Sequence, residues 1–160
     1  MRCHRFIVGT GLLCGALLAG AAGGGGGDSS PSWSARSEDP AVKTAKAALA
    51  AGDYASAQLS LKVALAADPG SADLHNLYAY SLRKGANPDM ALVFKHYQEA
   101  LRLDPKHRGA QEYIGEAYLM VNNPSKAKEH LAALDKLCFF GCSEYDELKK
   151  AIAAYEAKPK

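Results

Sequence analysis

The chain has almost no excess of charge of either sign. Nineteen lysines and arginines face 17 acidic residues among 160. Two of the cations, Arg2 and Arg5, sit at the extreme N-terminus; setting them aside brings 19 to 17, and the remainder is neutral. Nucleic-acid binders carry a basic patch or stripe, so this balance argues against that class. Also missing is an apolar run of the roughly 20 residues that spans a bilayer. The longest candidate, Phe6 to Ala19, is too short. Catalytic signatures are lacking as well. No serine sits in a glycine-flanked elbow, no phosphate-cradling glycine loop precedes a helix, and no His-Glu-x-x-His pair occurs. The expectation is a chain that is not an enzyme and carries no cofactor and no metal.

The N-terminus has its own pattern. Arg2 and Arg5 give a positive start, Phe6 to Ala19 is apolar or small, and Ala19-Gly20-Ala21 offers the small residues that a signal peptidase reads. Residues 1–21 therefore read as a secretory signal, with a retained anchor as the alternative. Cys14 follows Leu13 rather than a small residue, which argues against lipidation. Residues 22–38, with Gly23 to Gly27 and then Asp28-Ser29-Ser30-Pro31-Ser32, have the composition of a flexible tether. Trp33 is expected to rest on the first helix, a docking anchor being the alternative. The expected location is a bacterial periplasm, with no stable membrane insertion of the mature chain.

What the chain does have is repetition. Ala57-Gln58-Leu59-Ser60-Leu61-Lys62-Val63-Ala64-Leu65-Ala66-Ala67-Asp68-Pro69 returns as Val93-Phe94-Lys95-His96-Tyr97-Gln98-Glu99-Ala100-Leu101-Arg102-Leu103-Asp104-Pro105, 36 residues on. A worn third copy starts at Ala127, 34 residues after Val93, and runs through Leu131 and Leu134 to Phe139. A period near 34 residues is that of stacked helix pairs, none of which can bury its apolar face alone. Punctuation agrees. Asp39-Pro40, Asn87-Pro88 and Asn123-Pro124 read as a capping acceptor followed by proline at the first helical position. Ser71 and Ser143 are further candidate caps, with Asp146 three residues after Ser143. Asp68-Pro69 and Asp104-Pro105 read as stops. The spacing predicts seven helices, near 40–51, 54–67, 71–84, 88–103, 107–121, 124–138 and 143–157.

The middle phrase, Tyr97 to Pro105, and the small residues at Ala79, Gly115, Ala57 and Ala127 resemble the tetratricopeptide repeat family from about Pro40 to Ala157. The resemblance implies an all-α, right-handed solenoid. Its repeats would fall near 39–70, 71–106 and 107–140, with a C-terminal capping helix at 143–157. The middle turn, Lys84 to Asp89, carries about two extra residues. The likeness also implies non-catalytic binding of a protein or peptide partner, as a scaffold or assembly adaptor. In such repeats the first helix of each pair lines a concave groove. That selects Asp73, Asn76, Tyr80, Arg83 and Lys84 from the second unit, then Glu112, Glu116, Leu119 and Met120 from the third. Lys46 and Leu49 are candidates from the first. The expected groove is basic at Arg83 and Lys84 and acidic nearby.

Few other residues invite chemistry. His75, His96, His107 and His130 are scattered, and His96 and His130 fall at equivalent places, expected on a solvated back. Cys138 and Cys142 flank Phe139-Phe140-Gly141 between the last two helices. A left-handed Gly141 brings two such cysteines into disulfide range, and an oxidising compartment would close the bond. The expected role is a staple. A thiol-redox helper working through the same pair remains an alternative, as does a subunit that self-associates through Phe139 and Phe140.

Overall fold

The computed structural model describes residues 40–158. The expected signal segment, the expected tether with Trp33 and the expected Asp39 cap lie outside the described residues. Seven helices follow one another: α1 (Pro40–Ala50), α2 (Tyr54–Ala67), α3 (Ala72–Lys84), α4 (Met90–Leu103), α5 (Arg108–Met120), α6 (Pro124–Leu137) and α7 (Ser143–Glu156). No strand occurs among the described residues. The fold is all-α, as the periodicity indicates.

Short polar side chains set the helix starts. Asp53, Ser71, Asp89 and Asn123 each accept a hydrogen bond from the backbone N–H three residues on, at 3.0 to 3.3 Å. At α5 the acceptor is an imidazole: the Ala110 N–H donates to His107 Nδ1 at 3.2 Å. Each bond satisfies one of the donors that a helix start leaves orphaned. Two expected caps are corrected. Asn87-Pro88 does not open α4; Asp89 does, because the two extra turn residues displace the start to Met90. Ser143 does not cap α7. The cap position belongs to Cys142, which makes no side-chain cap bond, while Ser143 is already helical. Its Oγ donates to Glu144 instead. Asp68 and Asp104 end α2 and α4 ahead of their prolines. Gly52 (φ 74°) and Asn122 (φ 59°) supply the left-handed residue after α1 and α5. Asn122 is held there by a hydrogen bond from the Tyr155 hydroxyl.

Helices pack chiefly on their neighbours in sequence, with α3 also touching α5, and α5 touching α7. Three buried clusters result: two straddle joints between repeats, and the third lies where the last repeat meets α7. The first joins Ala45 of α1, Ala57, Leu61 and Ala64 of α2, and Leu74 and Tyr78 of α3. The second joins Ala79, Val93, Tyr97, Ile114 and Ala117 from α3, α4 and α5. The third joins Ala127 and Leu134 of α6 to Leu148 and Ile152 of α7, with Tyr118 and Leu119 of α5 against them. The repeated phrase explains the buried set on the second helices. Ala57, Leu61 and Ala64 are matched by Val93, Tyr97 and Ala100, then by Ala127, the half-buried Leu131, and Leu134. A large buried aliphatic chain is worth about 1.5–3 kcal/mol, and the clusters share such chains between adjacent repeats or between the last repeat and α7. Stacking is therefore built into the core. Gly115 shows how tight the last joint is, since a Cβ there would lie 2.6 Å from Leu148 Cδ2.

Cys138 and Cys142 form a disulfide with Cα atoms 5.5 Å apart. Gly141 between them is left-handed at φ 85°. The bond fastens the end of α6 to the start of α7. No described helix is long and apolar enough to cross a membrane.

Candidate groove across the first helices

One register organises the face shared by α3 and α5. Asp73 meets His107, Asn76 meets Gly109, Tyr80 meets Tyr113 and Arg83 meets Glu116. The offsets are 33 or 34 residues, close to the repeat period. Successive rungs lie about one helical turn, or ~5.4 Å, apart.

The strongest rung is the last. Arg83 Nη2 lies 2.6 Å from Glu116 Oε2, and Arg83 Nε donates to the Tyr97 hydroxyl at 3.3 Å. The guanidinium carbon stands 5.5 Å from the Tyr80 ring centroid and 5.7 Å from that of Tyr113, within cation–π range. Arg83 is only 7 % exposed. Burial opposes its charge, but Tyr97 and Glu116 outweigh that and hold it above its ordinary range. Burial also pushes the Tyr97 hydroxyl up, and that of Tyr113 up to about 12. Tyr54 extends the aromatic row, its ring 6.4 Å from Tyr80.

The expected basic end of the groove is corrected by this geometry. Arg83 is an internal ion pair beneath two tyrosines, so its charge is already neutralised; Lys84 alone is exposed there. Asn76 is buried, and its Oδ1 finds no hydrogen-bond partner among the described residues. Asp73 is exposed, with Oδ1 3.1 Å from His107 Nε2, although not aligned as a hydrogen bond. Glu112 is 9 % exposed. Met120 stands apart from these rungs: with Leu119, Tyr155 and Lys158 it lines a separate hollow of about 180 Å³ at the far end of α5 and α7. Leu49 packs against the first core cluster and Leu119 against the third. Lys46 is exposed on α1. The sequence reading did not single out Tyr54, Tyr113 or the Tyr97 hydroxyl, nor Glu144 and Glu147 of α7, whose charges act on Glu112. Tyr113 had a signal, since it follows Tyr80 by one repeat period.

The histidines differ from expectation too. His75 and His96 are paired, Nδ1 to Nδ1 at 2.8 Å. His75 Nε2 donates to the Pro69 carbonyl at 3.0 Å, so in the neutral pair His96 Nδ1 is the donor to His75. Burial, then His75, pushes His96 down to about 4. His130 is not a solvated surface group either; it bonds Gln111 Oε1 through Nδ1 at 2.7 Å and stacks on Tyr118. The back of these helices is more enclosed than the sequence implies because rings fill the gap between the two helices of a unit.

Comparison with protein-family models finds no match, and a search of curated proteins finds none either.

Proposed function

We propose that this chain is a non-catalytic protein-interaction module of tetratricopeptide type, exported to the periplasm, where it serves as a scaffold or assembly adaptor. It takes a segment of a partner along the face built by α3, α5 and α7. The observation that carries this reading is the rung register. The second helices spend their apolar faces on the core, whereas the first helices present a row of aromatic and ionic side chains held in fixed geometry by packing. Pre-set side chains lose little freedom on binding, which favours affinity from a modest area. The exported location rests on the leader pattern of residues 1–21. The disulfide supports a staple: Cys138 packs against the third core cluster, and the bond joins two helices of that cluster.

A second reading has its own observation. Phe139 and Phe140 are 87 % and 96 % exposed, ring to ring at 5.1 Å, on the disulfide loop. Large exposed apolar groups mark association surfaces. A self-associating subunit would use this tip.

The test must spare the buried Arg83–Glu116 pair, whose loss would damage the fold. A photo-crosslinking residue replaces Tyr80 in the groove or, as control, the exposed Lys95 of α4. Partner is then captured from envelope extract with the parent and with an Asp73→Ala, Tyr80→Ala, Lys84→Ala variant. The expected result is crosslinking from position 80 only and at least about tenfold lower recovery by the variant, equivalent to ~1.4 kcal/mol. Equal recovery, or crosslinks from position 95 alone, rejects the groove.

A further inference from the structure

The carboxylates around α5 and α7 are not equivalent. Glu116 has Arg83 at 2.6 Å, Glu144 has Arg108 at 3.7 Å and Glu147 has Lys150 at 3.8 Å. Glu112 is the exception. Its carboxylate makes no hydrogen bond and no ion pair among the described residues, although the residue is more buried than any of them. A buried carboxylate is ordinarily paired, because an isolated one carries the full cost of desolvation. The group of carboxylates is thus one cation short, at its most enclosed member.

The surroundings say what kind of group is missing. Tyr113 follows Glu112 in α5, and Tyr80 faces Tyr113 across the rung at 4.9 Å. Aromatic faces attract cations, and Arg83 already stands over both rings, 5.5 and 5.7 Å from their centroids. One turn back on α5, at Gly109, lies Asn76, 6 % exposed, with its Oδ1 unpartnered. Two acceptors on this stretch lack a partner among the described residues, the Glu112 carboxylate and Asn76 Oδ1, while the one unpartnered donor, His107 Nε2, lies beside Asp73 at 3.1 Å. Lysine ammonium and arginine guanidinium are pure donors.

We propose that Glu112 is the seat for a lysine or arginine side chain of the partner segment, which supplies the cation that α3, α5 and α7 leave out. This rests on the interaction reading above and names the chemistry of its ligand. The face selects basic segments and rejects acidic ones, because an acidic side chain there would add a fifth carboxylate against three cations.

Proton and ligand compete for the same oxygens. Burial first, then Glu116 and Glu144, push the Glu112 carboxyl up to about 7, with Arg83 opposing and Glu147 adding to the rise. Tyr80 and Tyr113 face it as neutral phenols, held above their ordinary range by burial. Cation binding should therefore strengthen with pH across neutrality.

The probes are N-acetyl-arginine amide and its neutral isostere N-acetyl-citrulline amide, titrated into the disulfide-intact protein and followed by amide NMR shifts. At pH 8 the arginine probe is expected to perturb residues 80, 112 and 113 and to bind at least about tenfold more tightly than citrulline. That preference should shrink about tenfold at pH 6, following the ionised fraction of a group titrating near 7. Glu112→Gln, with native shift dispersion, should lose both preference and pH dependence. Glu99→Gln, whose partner Arg102 lies on α4, should keep them. Equal binding of the two probes, or an unaltered preference in Glu112→Gln, overturns the cation seat. If partner crosslinking at position 80 persists in that event, the interaction reading stands and only its ligand chemistry is wrong. Shifts confined to other acidic residues overturn the seat as well.

Discussion

Glu112 ties stability to pH at the scale of a single residue. Its folded-state carboxyl titrates near 7, above the ordinary glutamate range. The protonated form is therefore favoured by folding. That contribution is complete below about 4.3, the value of an unfolded glutamate, and is lost as pH rises through 7. Glutamine mimics the protonated acid. Glu112→Gln should match the parent near pH 4.5 and exceed it at pH 8 by about 2 kcal/mol, a figure discounted for solvent reaching the cluster from its open side. Urea denaturation at the two pH values measures this. An identical gap at both would refute the burial of an unpaired carboxylate. His96 works in the other direction. Held near 4, it contributes stability above about 6.5 that is lost as pH falls through 4. Comparing variant with parent at each pH cancels that background.

Helix starts decide the next scale. The side chain that holds the Leu92 N–H is Asp89, at 3.1 Å, not Asn87 two residues earlier. Asp89→Ala should cost about 1 kcal/mol, and Asn87→Ala only a few tenths, in the urea midpoint at constant slope. The reverse order would restore the Asn87-Pro88 cap suggested by the sequence. All seven helices were legible, with ends correct to within two residues, because their signals are local: a capping acceptor, a proline, a spacing of three or four. Arg83 shows where legibility stops. Its place on the inner face follows from its position in α3, but its burial depends on Tyr97 from α4 and on Glu116 from α5. No one-helix pattern contains that information. Glu144 and Glu147 escaped for the same reason. Their helix reads as a cover for the final apolar face, and only the packing of α7 on α5 turns its polar side toward Glu112. Gln111 and His130 likewise meet only when α5 and α6 are packed.

At the scale of the described fold, the main packing contacts join helices next to each other or two apart. Damage at one end should therefore stay local. Replacing Cys138 and Cys142 together by serine removes a short closed loop, whose chain-entropy contribution is about 2 kcal/mol. Hydrogen exchange in α7 and the last turn of α6 should rise about tenfold or more, since each ~1.4 kcal/mol is a factor of ten. Exchange in α1 to α3 should be unchanged. A uniform rise along the chain would mean that the bond guards one cooperative unit and not the final joint. The same neighbour-to-neighbour wiring bears on how the chain reaches this shape. None of the described helices waits for a partner from the far end, so among them no long loop must close before the first buried contact forms. Assembly can advance hairpin by hairpin in the order of synthesis, a topology associated with rapid folding. The last hairpin is the exception: α5 and α6 keep an open apolar flank until Leu148 and Ile152 emerge to cover it.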